Sequence, residues 1–175
     1  MGQEAAAAED QGQALLALYD RALPQVYGYL VPRCGSTSVA EDVTAETFLA
    51  AVTAIQRGTV EDLTVAWLIG VARHKLVDHW RRQAREERKL QLVHDEPAPA
   101  DEDPWDELLD STCAHAALEQ LGAHHRSALT LRYLDGLSVP ECADLLGRSI
   151  HATEALLVRA RIAFRRAYGE GSDDA

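Results

Sequence analysis

The chain has 175 residues, 47% of them apolar and 6% aromatic, and its 28 acidic against 17 basic side chains give a formal net charge of −11. That length bounds the fold to one domain or two small ones. Few aromatics, abundant alanine and leucine and the lack of strand-like alternation exclude a β fold and predict an all-α protein, two small helical domains joined by a flexible acidic linker.

Residues 1–12 are acidic and small, which predicts disorder. From Gln13 to Val31, Leu15, Leu16, Leu18, Tyr19, Leu23, Val26, Tyr27 and Leu30 recur at helical spacing, with Pro24 as a kink. Pro32, Gly35 and Ser36 then break the helix. Ser38 and Glu41 have the spacing of a capping box and open a helix over Val39–Gln56. Its inward positions are expected to be Val39, Val43, Phe48, Val52 and Ile55. Glu41, Asp42 and Glu46 lie near its start, where the helix dipole favours acids; as a surface they would suit a basic partner.

Arg57-Gly58-Thr59 opens a loop to Leu63, and Thr64 caps a long helix, Val65–Leu90, with Val65, Leu68, Ala72, Leu76 and Trp80 as its buried stripe. Arg73, His74, Lys75, Asp78, Arg81, Arg82 and Arg85 fall on other faces. Cations beside aromatic rings suit single-stranded nucleic acid, whose backbone they track while rings stack on bases. Trp67 reads better as core. His74 and His79 lack the spacing of helical metal ligands, and no His-Glu-x-x-His occurs, so no metal or other cofactor is expected.

Gln91–Thr112 holds three prolines and eight acids with no base, and reads as a linker. Fully stretched, it reaches about 73 Å. A second domain, 113–168, begins with helices around Ala114–Leu121 and His124–Tyr133 and turns at Asp135-Gly136. Ser138 and Glu141 form a second capping box, Gly147 ends that helix in the left-handed conformation, and Ser149 caps the next. Ala152, Leu156, Ala160, Ala163 and Ala167 give the latter its periodicity. The tail 169–175 is expected to be disordered.

This last pair looks like a helix-turn-helix, whose second helix enters the major groove and reads base edges with its first turns. Arg148, Ser149, His151, Thr153 and Glu154 would be the readers, while Arg159 and Arg161 would hold phosphates. The plainer reading is a helical hairpin with a solvated basic face; five arginines against one acid from Arg148 to Arg166 favour DNA. Twelve of the 17 basic residues fall in Arg73–Lys89 and Arg148–Arg166. A chain this acidic overall binds DNA weakly alone, which hints at a protein that reaches DNA with help.

The start of the chain is acidic rather than basic then apolar, so no signal peptide is expected, and the uncharged stretch Leu63–Ala72 is too short to span a membrane. Cys34, Cys113 and Cys142 are far apart and odd in number, which fits reduced thiols of a cytoplasmic protein. No phosphate loop, nucleophile motif or metal ligand set is present, so the chain does not read as an enzyme.

Three segments, AEDVTAETFLAAV (Ala40–Val52), AWLIGVARHKLVDHWRR (Ala66–Arg82) and the block Ala117–Arg166 with LRYLDGLSVPECADLLG, resemble the bacterial extracytoplasmic-function (group 4) sigma factors of the sigma-70 family. The resemblance runs from Leu15 to Tyr168. It implies a first domain (13–90, region 2) that binds the β′ clamp helices of core RNA polymerase through Asp42, Glu46, Thr47 and Phe48. The −10 element would be met by Arg73, His74, Lys75, Asp78, Trp80, Arg81 and Arg82, and the loop Arg57–Leu63 would capture a flipped base. It implies a second domain (region 4) that reads the −35 element through Arg148–Arg161 and packs on the β flap, a linker threading toward the active-centre channel, and a separate anti-sigma factor as brake. His74 stands where the family most often has asparagine. The competing reading is a helix-turn-helix regulator that binds operator DNA by itself.

Overall fold

The computed structural model describes the backbone of residues 2–60, 62–90 and 112–172, and the side chains of 12–60, 62–89 and 114–169. The expected linker lies almost wholly outside these. The described residues fold as α1 (Gly2–Cys34), α2 (Thr37–Gln56), α3 (Val65–Leu90), α4 (Thr112–Gln120), α5 (Ala123–Leu129), a π turn (Thr130–Leu134), α6 (Val139–Leu146) and α7 (Ile150–Ser172). They form two compact units, Met1–Leu76 and Val77–Ala175, divided within α3.

In the first unit, Leu15, Leu18, Ala22, Val26 and Leu30 make the buried stripe of α1. Their spacing of three and four keeps one face inward. Leu16 falls off that stripe and is 74% exposed. Pro24 and Pro32 both sit inside α1, which runs on to Cys34. Of the residues expected to break the helix, Pro32 lies within it and Gly35 ends it, with φ 75°, a conformation open to glycine at little cost.

The cap of α2 is Ser36, not Ser38. Ser36 is extended, and its Oγ accepts from the Val39 N–H at 3.2 Å. The inward face of α2 is Ala40, Val43, Thr44, Thr47, Ala51 and Ile55, so Val52, expected inside, points out. Threonine can sit inward because its hydroxyl is satisfied locally: Thr44 Oγ1 donates to the Ala40 carbonyl at 2.6 Å and Thr47 Oγ1 to that of Val43 at 2.7 Å. Thr64 caps α3 as expected, accepting from the Trp67 N–H at 3.1 Å.

The core of the second unit is built from Ala114, Ala117, Leu118 and Leu121 with Ala128 and Leu129 against Leu156, Leu157, Ala160, Phe164 and Ala167 of α7. Arg126 fixes the α4–α5 corner: its guanidinium donates to the carbonyls of Leu118 (3.0 Å), Glu119 (2.6 Å) and Leu121 (3.0 Å). A helix end has carbonyls without intrahelical partners, and a cation suits its dipole. The helix expected over His124–Tyr133 widens into the π turn, where the Asp135 N–H donates to the Thr130 carbonyl at 3.0 Å.

Candidate nucleic-acid interface

The geometry around α6 and α7 is that of the motif expected there. Ser138 Oγ accepts from the Glu141 N–H at 3.4 Å, and Glu141 Oε2 accepts from the Ser138 N–H at 2.8 Å and its hydroxyl at 2.6 Å. Pro140 occupies the first turn, where its missing N–H costs nothing. At the far end Gly147 is left-handed, φ 63°, and the Arg148 N–H returns to the Ala143 carbonyl at 3.0 Å. This closes α6 and redirects the chain into α7, whose first free N–H groups are met by Ser149: its Oγ accepts from the Ala152 N–H at 3.2 Å. A short capped helix, a glycine turn and a second capped helix thus fix the entry of α7.

Of the expected −35 readers, His151 is 96% exposed, and its Nδ1 lies 3.9 Å from Glu154 Oε2, itself exposed. Ser149 is exposed but engaged as cap. Thr153 is a correction: its side chain is 0% exposed and donates to the Ser149 carbonyl at 3.0 Å, so it serves the core and cannot reach a base edge. Arg148 Nη2 lies 3.4 Å from His124 Nδ1. Arg159 is half-buried. Arg161 Nη1 donates to the Tyr133 hydroxyl at 3.3 Å, and the Arg132 guanidinium lies 5.8 Å over the Tyr133 ring. Sequence reasoning missed Tyr133 in this role and Ile150, the first residue of α7, which is half-exposed.

Along α3, His74, Asp78, Arg81 and Arg82 are exposed and Arg73 and Lys75 are half-buried. Arg73 Nε donates to the Tyr29 hydroxyl at 3.4 Å, and the Arg33 guanidinium lies 4.0 Å over the same ring. Asp78 pairs with Arg81 at 3.5 Å, and Arg81 also donates to the Leu145 carbonyl. Trp80, expected both in the core stripe and at the −10 element, is fully buried, and its indole N–H has no partner among the described residues. Its ring is core and cannot stack on a base in this conformation. In the loop, Val60 is buried, and Thr59 Oγ1 donates to the Ala54 carbonyl at 3.1 Å.

The residues expected to meet a partner on α2 divide in the same way. Asp42 is exposed, Glu46 and Phe48 are half-buried, and Thr47 is wholly buried, a second correction: its hydroxyl and methyl belong to the core. Phe48 meets Tyr19 edge-on at 4.9 Å. The two rings form one wall of an apolar groove of about 570 Å³ between α1 and α2, lined also by Leu23, Pro24, Tyr27, Glu41, Thr44 and Ala45. From sequence, Tyr19 and Tyr27 read only as part of the apolar face of α1, and Ala45 was not singled out, because the groove needs two helices whose mutual register periodicity does not set.

Among the described residues no cluster of three or more His, Cys, Asp or Glu side chains is arranged to hold a metal ion, and no helix is long and apolar enough to cross a membrane. Cys34 and Cys142 are buried thiols outside any disulfide; Cys113 lies outside the described side chains. Burial pushes the Cys142 thiol above its usual pKa, against the pull of nearby Arg132.

Two helical units, the second ending in a capped helix-turn-helix with basic side chains along its last helix, have the geometry of the helix-turn-helix class of proteins. The sequence matches Sigma-70 region 2 over residues 18–86 and Sigma-70 region 4 over residues 111–164. It is 34% identical over 157 residues to the ECF RNA polymerase sigma factor BldN of Streptomyces coelicolor, covering 86% of this chain and 58% of BldN. It is 32% identical over 162 residues to the ECF sigma factor SigC of Mycobacterium tuberculosis, covering 89% of this chain and 83% of SigC. Among solved structures, the sigma factor RpoE of Bartonella quintana, crystallised with the anti-sigma factor NepR, superposes with a TM-score of 0.51 at 24% identity, covering 91% of this chain and 96% of that one, a likeness of fold. The chain belongs to the extracytoplasmic-function sigma factors of the sigma-70 family.

Proposed function

We propose that this chain binds core RNA polymerase and directs initiation at promoters whose −10 and −35 elements it recognises, without catalysing a reaction itself. The observation that carries this is the presence, in order on one chain, of both sigma regions, the second with the doubly capped helix pair just described. Family and geometry together support the roles that follow. The first domain, 13–90, docks on the β′ clamp helices through Asp42, Glu46 and Phe48, with the α1–α2 groove beside them. Arg73, His74, Lys75, Asp78, Arg81 and Arg82 engage the −10 element as it opens. The second domain, 113–168, packs on the β flap and places Arg148, Ser149, His151 and Glu154 at the −35 element, with Arg159 and Arg161 on phosphates. The segment 91–112 joins them. The chain works in the cytoplasm, and an anti-sigma protein restrains it.

The net charge of −11 fits this division of labour, because polymerase supplies the sequence-independent attraction for DNA that an acidic chain lacks. Run-off transcription with purified chain and core enzyme on a promoter library is the test. Specific transcripts that require the chain are expected. No transcript from any promoter, with the chain shown to be folded, would overturn the reading. A tight, sequence-specific gel shift without core enzyme would indicate an operator-binding regulator instead.

A further inference from the structure

With Thr153 in the core and Ser149 committed as cap, the entry of α7 presents Ile150, His151 and Glu154 outward, followed by the small Ala155. Ile150 is the unexpected one. It is 51% exposed, and within the second unit it is the one large aliphatic side chain, among the described residues, that is left mainly to solvent. A single exposed apolar residue means little on an ordinary surface. Here it occupies the first helical position after a cap, on the helix that a helix-turn-helix inserts into the major groove.

The major groove presents one apolar feature at a base edge, the 5-methyl group of thymine. Ile150 can donate and accept no hydrogen bond, so it cannot tell guanine from adenine or cytosine by the groove's donor and acceptor pattern. It can only gain by covering that methyl, or lose by covering polar edges that then go without partners. His151 and Glu154 bear the polar chemistry on the same turn, so the three together read one apolar and two polar edges.

We propose that Ile150 is a specificity-determining residue: the −35 element recognised by this chain contains a thymine whose 5-methyl group packs against the Ile150 side chain. This rests on the promoter-recognition reading above. It adds a sequence requirement that neither the helix-turn-helix nor the arginines impose.

The experiment uses holoenzyme reconstituted from core enzyme and the full chain, on a promoter that the wild-type chain initiates from. Each thymine of the −35 element, on either strand, is replaced in turn by deoxyuridine, which removes the methyl and leaves base pairing intact. At one position the replacement should weaken wild-type holoenzyme binding about fourfold, the change in an equilibrium constant that one buried methyl makes. At that position Ile150→Ala, which weakens binding to the thymine promoter, should be insensitive to the replacement. Ile150→Val, which keeps a branched apolar surface, should remain sensitive. A −35 element without thymine, or losses that are the same in wild type and Ile150→Ala, would overturn the assignment. Failure of the wild-type chain to initiate anywhere would instead undo the promoter-recognition reading.

Discussion

Phe164 is 1% exposed and sits in the middle of α7, between Ala160 and Ala167 in the core of the second unit. Phe164→Ala should destabilise that unit by about 3–5 kcal/mol, lost contacts and residual cavity together, seen as a lower melting temperature. The periodicity of α7 was legible in the sequence, yet its alanines were a poor guide to which way the helix turns. The buried line is Thr153, Leu156, Leu157, Ala160, Phe164 and Ala167, one position round from Ala152 and Ala163. Alanine fits either face; the phenylalanine decides. The same ambiguity made Thr47 and Thr153 look available, because sequence alone does not reveal a threonine hydroxyl turned back on its own helix. Cys142 allows a test by pH. Its thiol is held above the ordinary value of 9.0 by burial, so the fold favours the neutral form. The unfolded chain loses that proton first as pH rises; the contribution of Cys142 to stability is therefore unchanged below about pH 9 and falls above it. Cys142→Ala should flatten this alkaline decline in urea unfolding measured between neutral and alkaline pH.

At the scale of elements, caps decide where helices begin. Ser36→Ala should cost about 1 kcal/mol of stability, since it removes the acceptor for the Val39 N–H. Ser38→Ala, at an exposed position within α2, should fall within about 0.5 kcal/mol of wild type. Thermal melts of the two variants side by side check the register. Both serines stand before acids and an apolar run, and Ser38 with Glu41 has the better-known spacing. What sequence could not show is that Gly35 reverses the chain and leaves Ser36 extended at the entry. At α6 the same spacing was read correctly, because Gly136 and Pro140 bracket Ser138 and leave one register open. Helix number, the α3 cap and the turn at Gly147 were all legible for this reason: each has a local chemical signal. The π turn and the Arg126 clamp had none, since both depend on how α4 and α5 pack with their neighbours.

At the scale of the whole molecule, most basic residues are gathered into two stretches of the sequence, Arg73–Lys89 and Arg148–Arg166. Asp42 and Glu46 lie on α2, with Glu41 on the rim of the groove. The double variant Asp42→Ala, Glu46→Ala should weaken association with core enzyme by about tenfold or more in a pull-down or fluorescence titration, with little change in melting temperature. Arg161→Ala should leave that association intact. It should weaken −35 binding across all sequences and reduce the salt slope of holoenzyme binding by about one, the mark of a lost phosphate contact. The reading from sequence assigns these tasks to the two ends of the chain. It did not show the groove that Tyr19 and Phe48 share, which exists only once α1 and α2 are packed.

The π turn at Thr130–Leu134 holds one residue more than a regular helix would carry over the same rise. Removing a single residue there would let α5 run straight on, and everything after it would swing by about 100° around that axis. Tyr133 would no longer stand behind Arg161. One surplus residue ahead of α6 thus sets the bearing of α6 and α7, and a chain shortened by it should melt at a lower temperature, because α7 can no longer seat Leu156, Ala160 and Phe164 against Ala128 and Leu129.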